Sequence, residues 1–252
     1  MSLCIAILSM SRLKKLNKSL KSYKENGLLD MADEKIIYFN KITNKDKEIA
    51  KQYGFKVLGD TKNIGIGKAL IKLFEASTSK YIIFLENDWE LIEDTNITKN
   101  VIETSMTLLD ENKVHYILYR HNKNPGKPFY IKHVINTFIK SNGKTFLKNQ
   151  KQPREILRKA CRCHWFRNSV NFNNGLNTII KPIKEYPGWY TSTNKYCSYT
   201  NNPYICNRVW WLNHLKNQNN VEGRGSEVNV QKHWYHKMDF KVGLNNGLFR
   251  HQ

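Results

Sequence analysis

The segment Tyr81-Ile82-Ile83-Phe84-Leu85-Glu86-Asn87-Asp88-Trp89-Glu90 constrains this chain more than any other. Its first five residues are apolar without alternation. A strand of that kind is buried on both faces, so its sheet needs a covering layer on each side. The run then ends at once in acidic residues. In an open α/β sheet, ligands bind beyond the carboxyl ends of the strands. Two carboxylates at i and i+2 on such an end, splayed by a turn, can hold a divalent cation. Mg²⁺ and Mn²⁺ prefer oxygen ligands and keep part of their shell for water or phosphate. On this segment alone, acids that merely open a loop explain the pattern equally well.

The residues before it alternate strand and helix patterns. Leu3–Leu8 reads as a first strand. Leu13, Leu16, Leu20 and Tyr23 follow at helical spacing, with Gly27 as a stop. Lys35–Asn40 is a second strand, Lys45–Tyr53 a helix closed by Gly54, and Phe55–Leu58 a third strand. Gly65–Ser77 is helical by Ile66, Leu70, Leu73 and Phe74, and Tyr81–Leu85 is the fourth strand. Strands that alternate with helices imply a mostly parallel sheet with right-handed crossovers. Further on, Asn100–Leu109 reads as a helix and Val114–Tyr119 as a strand. Residues 121–153 read as an excursion rich in Lys, Asn, Gly and Pro, and 154–212 as an aromatic segment of weak periodicity. Glu227–Lys237 reads as a helix and Phe240–Leu244 as a strand. The 252 residues are expected to form one domain, residues 1–120 and 121–252 being its two halves.

Composition limits the partners. The chain carries 41 Lys plus Arg against 21 Asp plus Glu, a formal net charge of +20. Such an excess attracts polyanions, among them nucleic acids, nucleotides and anionic glycans. An AT-rich genome, microbial or from a large virus, would by itself encode much of this Lys. Leu3–Leu8 and Tyr81–Leu85 are the longest apolar stretches, far short of the roughly 18–20 residues that span a bilayer. Met1-Ser2 puts no basic side chain ahead of the first run, and Arg12, Lys14 and Lys15 follow it at once, unlike a signal peptide. Five cysteines without framework spacing fit a reducing compartment. A cytoplasmic location is therefore expected, that of a host if the source is viral.

Two further segments carry polar groups at strategic places. Asn63-Ile64-Gly65-Ile66-Gly67-Lys68-Ala69 leads into a helix. Its glycines allow close backbone approach, and a helix N-terminus favours anions, although neither the dinucleotide nor the P-loop glycine pattern is present. Gly247-Leu248-Phe249-Arg250-His251 follows the last strand, where nothing obvious requires the histidine for packing.

In this order, the segments resemble the family 2 glycosyltransferases and their relatives with the GT-A fold. The resemblance covers Leu3–Glu90. It rests on the polar loop Ser9-Met10-Ser11-Arg12, the helix entry at Asn40–Gly54, the Asn63, Gly65, Ala69 element, and Glu86-Asn87-Asp88 in place of an Asp-x-Asp motif. The resemblance implies a mostly parallel, helix-flanked sheet with a Rossmann-like donor half and an acceptor lobe. It implies a hexosyl- or pentosyltransferase that uses a UDP- or GDP-linked nucleotide-sugar, a glycan or glycoprotein acceptor, and Mn²⁺ or Mg²⁺. Ser9, Ser11, Arg12 and Asn40 would then hold base and ribose. Asn63 and Lys68 would lie near the base or its phosphates, and Glu86 and Asn87 on the donor. Asp88 and His251 would bind the metal. Inverting members use a carboxylate to deprotonate the acceptor, a role that falls to Glu227 first and Glu222 second.

The aromatic segment contains Trp165, Phe166, Trp189, Tyr190, Tyr196, Tyr199, Tyr204, Trp210 and Trp211. Rings can stack on sugars, and Trp189 and the segment Asn201-Asn202-Pro203, with Asn202 at its centre, are the expected acceptor contacts, although most such rings belong to cores. Cys161-Arg162-Cys163-His164, with Cys197 and Cys206, lacks the usual spacing of a zinc site. A basic nucleic-acid-binding protein and a nucleotidyltransferase are the alternatives. Strand-end carboxylates repel phosphate unless a metal intervenes, which disfavours nucleic acid as the partner.

Overall fold

The computed structural model describes residues 2–126, 180–195, 197, 199–220, 226–236 and 239–252. Their strands are β1 (Leu3–Ser9), β2 (Glu34–Asn40), β3 (Lys56–Asp60), β4 (Tyr81–Glu86), β5 (Trp89–Leu91), β6 (Tyr116–Arg120), β7 (Lys181–Pro182), β8 (Tyr190–Thr193), β9 (Tyr204–Asn207) and β10 (Lys241–His251). Their helices are α1 (Leu13–Glu25), α2 (Asn44–Gln52), α3 (Ile66–Glu75), α4 (Thr95–Asp110), α5 (Arg208–His214), α6 (Lys216–Asn219) and α7 (Ser226–His236).

All ten strands join one sheet in the order β3-β2-β1-β4-β9-β6-β10-β8-β7, with β5 set against β10. β1 pairs in parallel with β2 on one side and β4 on the other. The chain therefore builds outward from β1 in one direction and then returns to its opposite side. The switch point lies between β1 and β4, where open α/β sheets form ligand crevices.

Alternating side chains of these buried strands serve two cores. Cys4, Ala6, Leu8, Ile82 and Phe84 face α3, α5 and α7, where Leu70, Phe74, Trp211 and Trp234 are buried. Leu3, Ile5, Ile7, Tyr81, Ile83 and Leu85 face α1 and α4, meeting Leu16, Leu20, Tyr23 and Ile102. Phe74 and Trp211 stack with centroids 4.0 Å apart, and the Trp211 indole N–H donates to the Tyr204 hydroxyl at 3.1 Å. The apolar bodies thus pack while their polar edges are satisfied.

Local chemistry sets the helix ends. Thr43 and Asp46 form a reciprocal capping box on α2. Asp94 caps α4 by accepting from the Ile97 N–H at 2.9 Å, so that helix starts five residues earlier than its apolar pattern predicts. Gly27 closes the α1 turn at φ 71°, where a Cβ would lie 2.6 Å from Thr95 Cγ2.

Three features depart from the sequence reading. β9 is an antiparallel strand inserted between the parallel strands β4 and β6, drawn from the segment read as weakly periodic. β5 is a short strand directly after the acidic turn. The last strand does not stop at Leu244. β10 runs eleven residues to His251, pairing with β6 through an irregularity between Leu244 and Phe249 and then with β5. Gly247 allows that irregularity, since its φ is 77° and a Cβ there would lie 2.3 Å from the Arg120 carbonyl oxygen.

Glu34, at the other end of the sheet, ties β2 to the turn before β4. Its carboxylate accepts from the Ser77 hydroxyl at 2.6 Å, the Ser79 hydroxyl at 2.8 Å and the Thr78 and Ser79 N–H groups at 3.0 and 3.1 Å. Burial by itself would raise this carboxyl. The Ser77 and Ser79 hydroxyls and the backbone donors outweigh burial and hold it below the ordinary range.

Two stability predictions follow from these contacts. Gly247→Ala should lower unfolding free energy by about 2 kcal/mol or more, read as a fall in denaturation midpoint at unchanged slope; an unchanged midpoint would contradict the crowding at Arg120. Glu34 has a depressed folded pKa, so its contribution is present above the unfolded carboxyl range and disappears as pH falls through the folded value. Glu34→Gln should therefore lower the melting temperature at pH 7, and the gap from the parent should close as pH drops below about 4. A gap independent of pH would show that the charge plays no part.

Candidate active site

The acidic turn is held from below by α1. The Ser19 hydroxyl donates to the Asn87 carbonyl oxygen at 3.3 Å, the Tyr23 hydroxyl to the Trp89 carbonyl oxygen at 2.6 Å, and the Leu91 N–H to Ser22 Oγ at 3.0 Å. These three polar residues interrupt the apolar face of α1 at the positions that meet the turn. They satisfy backbone groups that leave the sheet as β4 ends. The Asn87 side-chain amide donates to Ser9 Oγ at 3.1 Å, joining the ends of β4 and β1.

Glu86 is the last residue of β4 and is half-buried. Its carboxyl is pushed up to about 8, first by burial and then by the nearby charges of Asp88 and Glu227, with Arg12 opposing. Asp88, two residues on, has a side chain only 4% exposed. Its Oδ2 receives Arg12 Nη1 at 2.6 Å, His251 Nε2 at 3.2 Å and Lys15 Nζ at 3.8 Å. Burial would raise this carboxyl too. The hydrogen bond and charge of His251, with the charges of Lys15 and Arg12, outweigh it and hold Asp88 below its ordinary range. Two carboxyls on one turn are thus driven in opposite directions by their neighbours.

The C-terminal strand holds the acidic turn as well. Register places His251 opposite Trp89 and Arg250 opposite Glu90. Glu90 Oε2 accepts from Arg250 Nη2 at 2.6 Å and from Lys18 Nζ at 3.2 Å, clasping β10 and α1 to the turn. The His251 ring meets the Trp89 ring edge-on at 5.0 Å. The Gln252 N–H donates to the Asp88 carbonyl oxygen at 2.9 Å.

These elements enclose a cleft of about 920 Å³ at the switch point, within the range of small-molecule sites. Seven of the eight predicted donor residues line it: Ser9, Arg12, Asn40, Asn63, Lys68, Glu86 and Asn87, together with Asp88. Ser11 does not. It is exposed, has φ 49°, and lines a shallower adjoining concavity with Arg12, Lys14 and Lys15. Asn40 is buried, and its Oδ1 already accepts from the Ile64 N–H at 2.8 Å. Asn63 Oδ1 accepts from the Gly65 N–H at 2.9 Å, shaping the entry to α3, whose N-terminus opens on the cleft.

Glu227 opens α7, and its Oε1 accepts from the Asn201 N–H at 2.7 Å and the Thr200 hydroxyl at 3.0 Å. Asn202 follows in the same loop, half-buried, its N–H donating to Thr200 Oγ1 at 3.2 Å. That loop leads into β9 where Tyr204 lies opposite Phe84, so it sits at the carboxyl end of β4. Glu222 lies outside the described residues, as do Cys161, Cys163, His164, Trp165, Phe166 and Tyr196. Cys197 and Cys206 are free thiols buried in the core.

Trp189 does not line the cleft. It is 8% exposed and packs in the core beneath α4, just before β8, four strands across the sheet from β4. Its ring is used for packing at the far side of the sheet from the acidic turn. Tyr199, Tyr204 and Trp211 are likewise fully buried. Sequence reasoning missed Lys15 and Thr200. Lys15 carried a legible signal, being three residues after Arg12 on one helical face; Thr200 depends on a loop that returns to the site from far downstream.

Asp88 and His251 could hold a divalent ion together. Among the described residues no three His, Cys, Asp or Glu side chains converge on one ion. A metal here would therefore complete its shell from water or substrate oxygens, as Mg²⁺ commonly does.

Comparison with known proteins bears on the fold and the family. No curated protein matches the chain. Among solved structures, S. aureus TarS 1–349 superposes with a TM-score of 0.57 at 10% identity, covering 100% of this chain and 60% of that one. The same TarS 1–349 in complex with UDP gives 0.53 at 11% identity, covering 99% and 60%. Glucosyl-3-phosphoglycerate synthase from Mycobacterium tuberculosis, in complex with Mn²⁺, UDP and phosphoglyceric acid, gives 0.54 at 13% identity, covering 100% and 70%. The chain spans about 60% of the length of TarS 1–349. At such identities the likeness concerns the fold, which is GT-A. The model of the family described as glycosyl transferase family 2 matches residues 4–172, more than half of the chain. A GT-A sheet, its switch-point cleft and that family match agree: the chain belongs to glycosyl transferase family 2.

Proposed function

We propose that this chain is a glycosyltransferase that moves a sugar from a UDP- or GDP-linked donor to a hydroxyl of a glycan or glycoprotein acceptor, with inversion and with Mn²⁺ or Mg²⁺. One observation carries the reading. The buried Asp88 carboxylate, which lines the cleft, has the His251 ring 3.2 Å away behind it. Neighbouring ligands of an octahedral ion with bonds of about 2.1 Å are separated by about 3.0 Å, so the pair fits two adjacent positions. The solved relatives support the choice of ligand, since one is complexed with Mn²⁺ and UDP. When bound, the metal would neutralise charge that develops on the leaving diphosphate.

The chain's own residues do the rest. Ser9, Asn63 and the N-terminus of α3 receive the nucleotide, and Lys68 adds positive charge near its phosphates. Asn40 contributes chiefly by fixing the Ile64 backbone on the cleft wall. Glu86 faces the donor sugar or its ribose. Burial and the charges of Asp88 and Glu227 push its carboxyl toward the neutral form, in which it can donate to a sugar hydroxyl as well as accept. Glu227 is the general base that takes the acceptor proton. The Thr200 hydroxyl and Asn201 N–H orient it, and its charge reaches Glu86 across the end of β4. Asn202 stands in the same loop as an acceptor contact. Residues 1–120 act as the donor half and 121–252 as the acceptor half. The free thiols of Cys4, Cys197 and Cys206 support a cytoplasmic location.

Asp88→Asn tests the reading. It should abolish Mn²⁺ binding and lower nucleotide-sugar turnover by about 100-fold or more, with the circular dichroism spectrum unchanged. Full turnover in a correctly folded variant would exclude Asp88 from the chemistry.

A further inference from the structure

We propose that Arg12 exchanges partners during the cycle: it neutralises Asp88 while the cleft is empty and moves onto the donor's diphosphate once metal and donor are bound. The inference rests on the reading of the cleft as a metal and nucleotide-sugar site. It moves Arg12 from the base and ribose, where family resemblance puts it, to the leaving group.

The two ends of the Arg12–Asp88 pair are unlike. The Asp88 side chain is 4% exposed and that of Arg12 is 59% exposed. A buried carboxylate needs a counter-charge at all times, whereas an exposed guanidinium gives up its partner at little desolvation cost. The contact runs through one nitrogen, Nη1, at 2.6 Å. A guanidinium has five N–H donors in a planar fork, so most of its capacity to grip phosphate oxygens is uncommitted.

Position also favours movement. Arg12 lines the donor cleft and, with Lys14 and Lys15, the adjoining concavity of about 540 Å³, so its side chain stands on the ridge between two open spaces. It precedes the first residue of α1 and follows Ser11, whose positive φ turns the chain toward the cleft. Lys15 is placed differently. Its Nζ is held by the Gln252 carbonyl oxygen at 3.1 Å and stays 3.8 Å from Asp88.

Charge makes the exchange necessary. Arg12 and His251 both contact Asp88 Oδ2, so an ion bound by Asp88 and His251 would compete with the guanidinium for that oxygen. Two cations that close repel each other strongly in a partly buried site. The donor brings the remedy, because its diphosphate supplies negative charge to the cation that the metal displaces. In the loaded enzyme Arg12 would then meet charge as it grows on the departing diphosphate, a contribution that strengthens toward the transition state.

The experiment follows two bindings in the intact chain. Mn²⁺ affinity of the nucleotide-free protein is measured by electron paramagnetic resonance. Affinity for UDP and GDP at saturating Mn²⁺ is measured by calorimetry. Arg12→Gln should tighten Mn²⁺ about fivefold by removing its competitor, and weaken nucleoside diphosphate binding about tenfold. Arg12→Lys keeps a charge without the fork, so its Mn²⁺ affinity should stay within about twofold of the parent, with nucleotide affinity between the other two. Effects of the same sign in both titrations of Arg12→Gln would overturn the proposal. So would unchanged Mn²⁺ affinity in a variant whose parent binds Mn²⁺, an outcome that leaves the metal reading standing. Failure of parent and variants alike to bind Mn²⁺, with or without nucleotide, would overturn both.

Discussion

The site depends on the parallel pairing of β1 with β4. In that register Leu8 lies beside Glu86, so the loop after β1 and the acidic turn after β4 leave the sheet at the same level. A slip of one residue would turn every side chain of β4 to the other face and mismatch both cores. Because both faces of these strands are apolar and fully covered, that register is strongly fixed. The chemistry of the cleft inherits its precision from packing that has no chemical role.

A second, longer closure fixes the acidic turn from the other end of the chain. β10 brings His251 to Asp88 from 163 residues further along the chain, by pairing with β6 and then with β5. Across the irregularity at Gly247 the strand keeps β6 on one side while β5 replaces β8 on the other, and the Glu90–Arg250 pair clasps its end to β5. The acidic turn is thereby gripped from two sides, by the polar stripe of α1 and by the final strand. A side chain that must meet a substrate or metal is best held in this way, on regular elements rather than on a free loop.

Electrostatics divides the work of the two carboxyls. Asp88 sits among Arg12, Lys15 and His251 and is stabilised as a carboxylate. Glu86 feels the charges of Asp88 and Glu227 on top of its own burial and is driven toward its neutral form. Groups of one type whose surroundings push their pKa values apart take different roles at one pH. The large basic excess of the chain is thus compatible with a site built on acids: the cations sit around a small, buried acidic centre.

Much of this was legible in the residues. The unbroken apolar run ending in Glu86-Asn87-Asp88 determined a buried strand with acids at its carboxyl end, and the alternation before it determined a parallel sheet, since both signals are local and periodic. The places of Ser9, Asn63 and Lys68 on the cleft followed from the family resemblance, not from any period in the residues. Tertiary structure alone decided the rest. β9 is short, aromatic and antiparallel, and its place between β4 and β6 is set by pairing, which leaves no period in the sequence. Trp189 belongs to the core because its segment folds beneath α4, although a tryptophan near Asn and Tyr residues reads equally well as a sugar platform. Arg12 meets Asp88, and Glu227 meets Thr200 and Asn201, through contacts between residues far apart in the chain. The sequence specifies elements by local period and end chemistry; which ends come together is determined by burial over the whole sheet, and that is where the site is made.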